Sequence, residues 1–227
     1  MVVTHLFARV RAIEMPVIDF SFKLLGGPIP VDHGYHVYSS ISRVLLAIHG
    51  DDQIGVHPIF GRLLGNRMLA LTESSHLTLR LPVDRVPDIL PLAGRTLDLG
   101  DGSITVGVPN TRALVPSAAL ESRLVIIKGF MEPETFLDAV RRQLAALEIR
   151  GEPFLMSTGN AVVENATRNG GTKSPWVRRT LRIRDKEIVG FALRVEELTA
   201  EESILLQEKG IGGRRRFGCG IFVPTRR

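Results

Sequence analysis

Cysteine is nearly missing from this chain: Cys219 is the only one in 227 residues. A lone thiol excludes an intrachain disulfide and a cysteine metal cluster, and it suits a reducing compartment. Aromatic residues are scarce too, at 6% with two tyrosines and one tryptophan. That argues against an open sheet that binds single-stranded RNA by stacking bases on surface rings. No apolar run reaches the ~18 residues of a membrane-spanning helix. The segment before Met15 carries Arg9, Arg11 and Glu14 where a secretion signal would have an apolar core. These absences predict a cytoplasmic protein with no membrane partner. The Walker pattern is missing as well. The one dense glycine cluster precedes a strand pattern, whereas a dinucleotide fingerprint follows a strand and opens a helix.

What is present is an adequate core and an uneven charge. The chain is 44% hydrophobic with mean hydropathy +0.12 and net charge +5. Residues 1–113 hold ten basic and ten acidic residues, and residues 114–227 hold nineteen and fourteen. An anionic partner is therefore expected on the C-terminal half.

The pattern along the chain predicts an α+β protein. Val17-Ile18-Asp19-Phe20-Ser21-Phe22-Lys23-Leu24 alternates as a half-buried strand does. Asp32 is a candidate cap for an amphipathic helix over 33–48, where Val37, Ile41, Val44, Leu45 and Ile48 recur at helical spacing. Residues 68–71 and 77–81 read as a hairpin around Glu73-Ser74-Ser75. A short proline-broken helix over 86–92 follows, then strands over 97–108 around the Asp101-Gly102 turn. The second half repeats the pattern: a strand over 123–128, a helix over 133–147, a polar glycine-rich loop over 157–177, and a hairpin of 180–184 with 187–195. A helix opened by the capping box Thr199-Ala200-Glu201-Glu202 runs to Lys209, Gly210 fits its C-terminal cap, and residues 218–223 close the unit. Two β-α-β-β-α-β units fit, with a boundary near 113–121, which divides the chain into 1–113 and 114–227.

The last helix leads into Gly210-Ile211-Gly212-Gly213-Arg214-Arg215-Arg216-Phe217-Gly218-Cys219-Gly220. Glycine amides can approach a phosphate closely, and arginine offers forked, permanently charged donors. Lys173, Arg178, Arg179, Arg182, Arg184 and Lys186 gather on the preceding loop and hairpin. Arg182 and Arg184 fall on one face of their strand. Together with Arg214–Arg216 they predict a basic cleft.

Six histidines offer acid–base chemistry. His76-Leu77-Thr78-Leu79 matches one half of the paired signature of two-histidine phosphoesterases, but no second copy exists. His33 and His36 lie one helical turn apart without an evident third metal ligand. His33 near a helix N-terminus is biased toward the neutral base. His49 falls at the helix end, where the negative dipole favours it. His57, in Ile54-Gly55-Val56-His57-Pro58-Ile59, is held extended by Pro58.

These residues resemble the CRISPR-associated endoribonucleases of the RAMP superfamily, which cut precursor CRISPR RNA within each repeat. The family's glycine loop, G-ϕ-G-x-x-x-x-x-G-x-G with ϕ apolar, is met from Gly210 to Gly220. The Myxan-type variant of type I systems is matched further by Val31-Asp32-His33-Gly34-Tyr35, Ile54-Gly55-Val56-His57-Pro58, Lys128-Gly129-Phe130-Met131-Glu132-Pro133 and Arg179-Thr180-Leu181-Arg182-Ile183. The blocks span residues 31–224. The resemblance implies two tandem ferredoxin-like (RRM-like) folds and metal-independent cleavage with no cofactor. In that reaction a ribose 2′-OH attacks the adjacent phosphate. It also implies a repeat RNA hairpin and other subunits of a type I effector complex as partners. By the same resemblance His57, or else His33, is the catalytic histidine, with Tyr35 or Tyr38 as helpers. Arg43 or Arg62 would contact the scissile phosphate. Gly210, Gly212, Gly213, Gly218, Gly220, Arg214–Arg216, Arg178, Arg179, Arg182, Arg184 and Lys173 would hold RNA.

Overall fold

The computed structural model describes residues 15–157, 176–183 and 185–225. Strict alternation makes β1 (Val17–Gly26) a half-buried strand: Phe20, Phe22 and Leu24 turn inward, while Ser21 and Lys23 turn away. After it come β2 (Ile29–Pro30), α1 (Gly34–Val44), β3 (Gly55–Val56), β4 (Arg62–Gly65), β5 (Met68–Ala70), β6 (His76–Pro82), α2 (Val86–Ile89), β7 (Thr96–Asp98) and β8 (Ser103–Ala113). The second half contributes β9 (Leu120–Val125), α3 (Pro133–Ala146), β10 (Glu152–Leu155), β11 (Arg178–Ile183), β12 (Lys186–Glu196), α4 (Ala200–Lys209) and β13 (Val223–Pro224).

One sheet has the order β3-β6-β1-β8-β7 and the other β10-β12-β9-β13, with β11 also on β12. The two halves share a plan. In each, the first strand is central, flanked by the strand before the second helix (β6, β12) and by the last strand of that half (β8, β13). The strand after the first helix takes the outer edge. Every strand pairing described is antiparallel. Each half buries its own cluster, one built on Phe22, Ile41, Leu79 and Val106, the other on Phe136, Phe191, Leu206 and Phe222. A small third cluster of Leu124, Ile126, Leu181 and Cys219 lies near the junction, and Phe217 packs against it and against the first. Among the described residues no helix is long and apolar enough to cross a membrane.

Four expectations need correction. Residues 68–71 do not pair with 77–81. Instead β5 pairs with β4 and β2 in a separate three-stranded sheet, and β6 pairs with β1. The β1 register sets Leu77 against Phe22 and Leu79 against Phe20, all inside the core, a burial that short β5 cannot offer. Asn66 and Arg67, both at positive φ, make the β4–β5 turn, as two-residue hairpin turns require. The helix over 33–48 stops at Val44. Leu45 leaves helical geometry and Leu46–Ile48 forms a 3₁₀ turn that buries Ile48. Asp32 does not cap α1: His33 holds the cap position, and Asp32 Oδ2 accepts the Arg182 amide at 2.7 Å. The closing strand over 218–223 shrinks to β13, because Arg215–Phe217 forms a 3₁₀ turn flanked by left-handed residues. The Thr199/Glu202 capping box and the hairpin at Asp101-Gly102 form as expected. The glycine-rich stretch of 157–177 lies almost wholly outside the described residues.

Candidate functional site

Register builds the polar centre. Asp19 of β1 stands opposite Arg80 of β6, and Gly55 of β3 stands opposite Arg80 on its other side. By the alternation of the strands this row faces away from Phe20 and Leu79, toward the C-terminal half. Arg80 is 1% exposed. Its Nε and Nη2 donate to the two Asp19 oxygens at 2.7 and 2.9 Å, and Nη1 donates to the carbonyls of Gln207 and Phe222 at 3.0 and 2.6 Å. Four of the five N–H donors of this guanidinium are used, as a buried charge requires.

His57 follows β3, and its amide donates to the Thr78 carbonyl at 2.8 Å. Its Nε2 lies 3.2 Å from Asp19 Oδ1. Burial is the largest influence on the imidazole and lowers its pKa; the Asp19 contact opposes this, and the charges of Arg80 and Arg215 add to it. His57 is therefore a neutral ring. Donation from Nε2–H to Asp19 leaves the Nδ1 lone pair without a partner among the described residues. Burial alone would raise the Asp19 carboxyl, but hydrogen bonds from His57 and Arg80, and the Arg80 charge, hold it well below the usual carboxylate range.

His33 is tied up differently. It is 2% exposed, with Nδ1 donating to the Pro30 carbonyl at 2.8 Å and Nε2 accepting the Ile59 amide at 2.9 Å. Burial lowers its pKa to about 4. Both nitrogens serve the backbone, so the ring staples the loop before α1 to the loop after β3.

Tyr35 and Tyr38 meet the glycine-arginine loop. Tyr38 is 7% exposed, and the Arg216 guanidinium lies 5.4 Å from its ring centroid and 5.2 Å from that of Phe217. Phe217 also contacts Tyr38 and Tyr35 at centroid distances of 5.3 and 5.9 Å. The Tyr38 hydroxyl donates to the Ile48 carbonyl at 3.3 Å and accepts the Gly50 amide at 3.0 Å. It thus fixes the backbone on both sides of His49, whose side chain is exposed.

The loop itself departs from its expected use. The amides of Gly210, Gly212, Gly213, Gly218 and Gly220 donate to Leu206 O, Gln143 Oε1, Ile126 O, Arg215 O and Leu124 O. None is free to cradle a phosphate. The glycines are needed for close crossings: a Cβ on Gly212 would meet the Ile126 carbonyl, and one on Gly220 the Ile211 carbonyl. What the loop offers an anion is its arginines. Arg214 is exposed. Arg215 is enclosed, and its Nε and Nη2 have no hydrogen-bond partner among the described residues. Burial and the Arg80 charge lower its pKa to about 10. An unpaired buried donor is costly, and these nitrogens lie beside Gly55 and Gly210, where a side chain on either glycine would crowd them.

The other expected contacts scatter. Arg43 Nη2 donates to Ser40 Oγ at 2.7 Å and to the Asp98 carbonyl, at the end of β7. Arg62 is exposed on β4. Arg178, Arg179 and Arg182 are exposed on β11. Lys173 and Arg184 lie outside the described residues. Among the described residues no group of three His, Cys, Asp or Glu side chains is placed to hold a metal ion. Sequence reasoning missed Asp19 and Arg80, which read as outward polar positions of amphipathic strands. The only hint was an arginine inside Leu77-Thr78-Leu79-Arg80-Leu81.

Comparison with known proteins agrees with this architecture. The chain is 36% identical over 213 residues to the CRISPR-associated endonuclease Cas6 of Myxococcus xanthus (strain DK1622), covering 94% of this chain and 84% of that protein. A solved Cas6-related protein of Pyrococcus furiosus superposes with TM-score 0.63 at 15% identity, covering 91% of this chain and 97% of its own. A structure described as a RAMP protein binding different RNA substrates superposes with TM-score 0.64 at 14% identity, covering 92% and 100%. At such identities the two structures speak for the fold alone. The family described as Cas6 Crispr matches residues 18–227, and on that match and the Myxococcus relative the chain belongs to the Cas6 family of CRISPR proteins.

Proposed function

We propose that this chain is an endoribonuclease that cuts precursor CRISPR RNA within the repeat and stays on the 3′ hairpin of its product. The observation that carries the reading is the neutral His57 ring, oriented by Asp19 and within electrostatic reach of Arg215, whose Nε and Nη2 have no partner among the described residues. The 36% identical relative named an endonuclease supports it. His57 Nδ1 takes the proton of a ribose 2′-OH, the oxygen attacks the adjacent phosphorus, and the 5′-oxygen of the next nucleotide leaves, taking a proton from water. The products are a 2′,3′-cyclic phosphate and a 5′-OH, with no metal in the reaction. Such proton transfer contributes about 10²–10⁴-fold, and Arg215 supplies charge to the phosphorane oxygens. Tyr38 positions the segment beneath Arg216, and Tyr35 stands beside it. Arg178, Arg179, Arg182 and Arg214 hold the hairpin backbone. In this reading each half is a ferredoxin-like domain, 1–113 and 114–227, and the protein works in the cytoplasm as a subunit of a type I effector complex.

A second reading assigns the proton transfer to His49. Its observation is the Tyr38 hydroxyl, which braces the backbone on both sides of an exposed imidazole. A third, a non-cleaving subunit that carries guide RNA, shares the RNA surface without the chemistry. One experiment separates them: repeat RNA from the protein's own locus, incubated in EDTA with wild type, His57→Ala, His33→Ala and His49→Ala. We expect one cut bearing a cyclic phosphate, lost in His57→Ala while binding persists. Loss in His49→Ala alone moves the chemistry to that residue. Tight binding without a cut in wild type makes the chain a carrier.

A further inference from the structure

A cavity of about 250 Å³ opens between the two halves. Its lining includes Arg67 from the β4–β5 turn, Arg123 from β9, and Arg178 and Arg179 from β11. Asp32 is the only carboxylate in the lining, and it is engaged by the Arg182 amide. Arg123 is half-buried and makes no hydrogen bond or ion pair among the described residues. Burial and the neighbouring Arg179 charge pull its pKa down. Val31, Leu124, Leu181 and Phe217 give the wall an apolar part, beside His33 and Thr180. The cavity adjoins the His57 centre at Pro58 and Phe217 but does not include His57, Asp19 or Arg215, and neither Arg67 nor Arg123 stood out in the sequence.

Four arginines line the cavity against one carboxylate, although the Arg178 guanidinium stacks over the Phe191 ring, and the three others already exceed the need of a phosphodiester, which carries a single charge. A phosphomonoester brings about −1.5 to −2 and three acceptor oxygens, and arginine forks match those oxygens. The volume holds about eight waters and lies just below the ~300 Å³ at which small-molecule sites begin. It therefore has room for a sugar or base beside the phosphate, and the apolar wall suits that part of the ligand. We propose that this cavity is a receptor for a nucleoside phosphomonoester, free or at the end of an RNA strand, with Arg123 as a principal phosphate donor.

The test is calorimetric titration of the full chain with AMP, UMP, adenosine, and a short single-stranded RNA with and without a terminal phosphate, with thermal melts alongside. AMP and UMP should bind while adenosine does not. Arg123→Met should weaken them about tenfold or more and melt no lower than wild type, because it removes an unpaired, half-buried charge. Binding of the mononucleotides identifies a free ligand as sufficient. Binding of only the phosphate-terminated RNA identifies the strand end as the source. Equal binding of adenosine and AMP, or of both RNA forms, overturns the proposal. So does an Arg123→Met protein that melts lower yet binds AMP unchanged, since that residue would be structural. If Arg123→Met does not fold, Arg179→Met at the exposed rim gives the same contrast. Failure of the repeat-cleavage assay leaves these titrations untouched, so the two readings fall separately.

Discussion

At the scale of single residues, His33 and Asp19 tie folding to pH. An unfolded histidine titrates near 6.5, whereas buried His33 titrates near about 4. Between these values the unfolded chain binds a proton that the native chain refuses, so stability falls as the pH drops through this window. The contribution is about 3 kcal/mol. Asp19 works in the same direction lower down. Its native carboxyl stays ionised well below the usual range, so its stabilisation is complete above about pH 4 and is lost as the pH falls further. Urea unfolding followed from neutral pH to about pH 4.5 should show declining stability. His33→Gln should reduce that slope by about one proton, and an unchanged slope would contradict the assignment.

At the scale of elements, the glycine-arginine loop is a crossing first and an anion grip second. Gly212 sits at φ +76°, and a Cβ there would lie 2.5 Å from the Ile126 carbonyl oxygen. Gly213, one residue on, has open space where its Cβ would go. Gly212→Ala should therefore cost about 1–3 kcal/mol, and Gly213→Ala less than about 0.5 kcal/mol, both read by chemical denaturation. Equal costs would mean that the loop is not held as described. The chain spelled out much of this element in advance: its position after α4, the cap at Gly210 and the run of arginines. It did not show that the amides are consumed internally, because their acceptors, Leu124, Ile126 and Gln143, come from β9, the turn after it and α3. In β6 the alternation was legible but its partner was not, since Leu77 and Leu79 fit any strand with a matching apolar face.

At the scale of the whole molecule, Arg80 couples the halves. It rises from the N-terminal sheet, binds Asp19 beside it, and ends on carbonyls of α4 and of the segment before β13. Arg80→Ala strips the buried Asp19 carboxylate of its charge partner, leaving it only the His57 contact, and takes a donor from two carbonyls, at a cost of about 3–5 kcal/mol. The double change Asp19→Leu with Arg80→Met should cost clearly less than the two single changes together, since the stranded charge is then absent. Additive costs in a double-mutant cycle would show that the pair is not coupled.

The chain alone determined what depends on neighbours in sequence. Alternation set β1, helical spacing set α1, Pro133 and the acids Glu132 and Glu134 set the start of α3, Thr199 and Glu202 set the start of α4, and the excess of arginine set the charge of the second half. Local sterics and periodic burial decide such features before any long-range contact forms. Only the tertiary structure decided that His33 is a buried staple, that His57 faces Asp19 in a carboxylate–guanidinium pair, and that Arg123 and Arg67 meet across a cavity. Those residues are far apart in the chain, and their protonation and pairing depend on burial and on strand register. Both exist only once the two sheets have closed on each other.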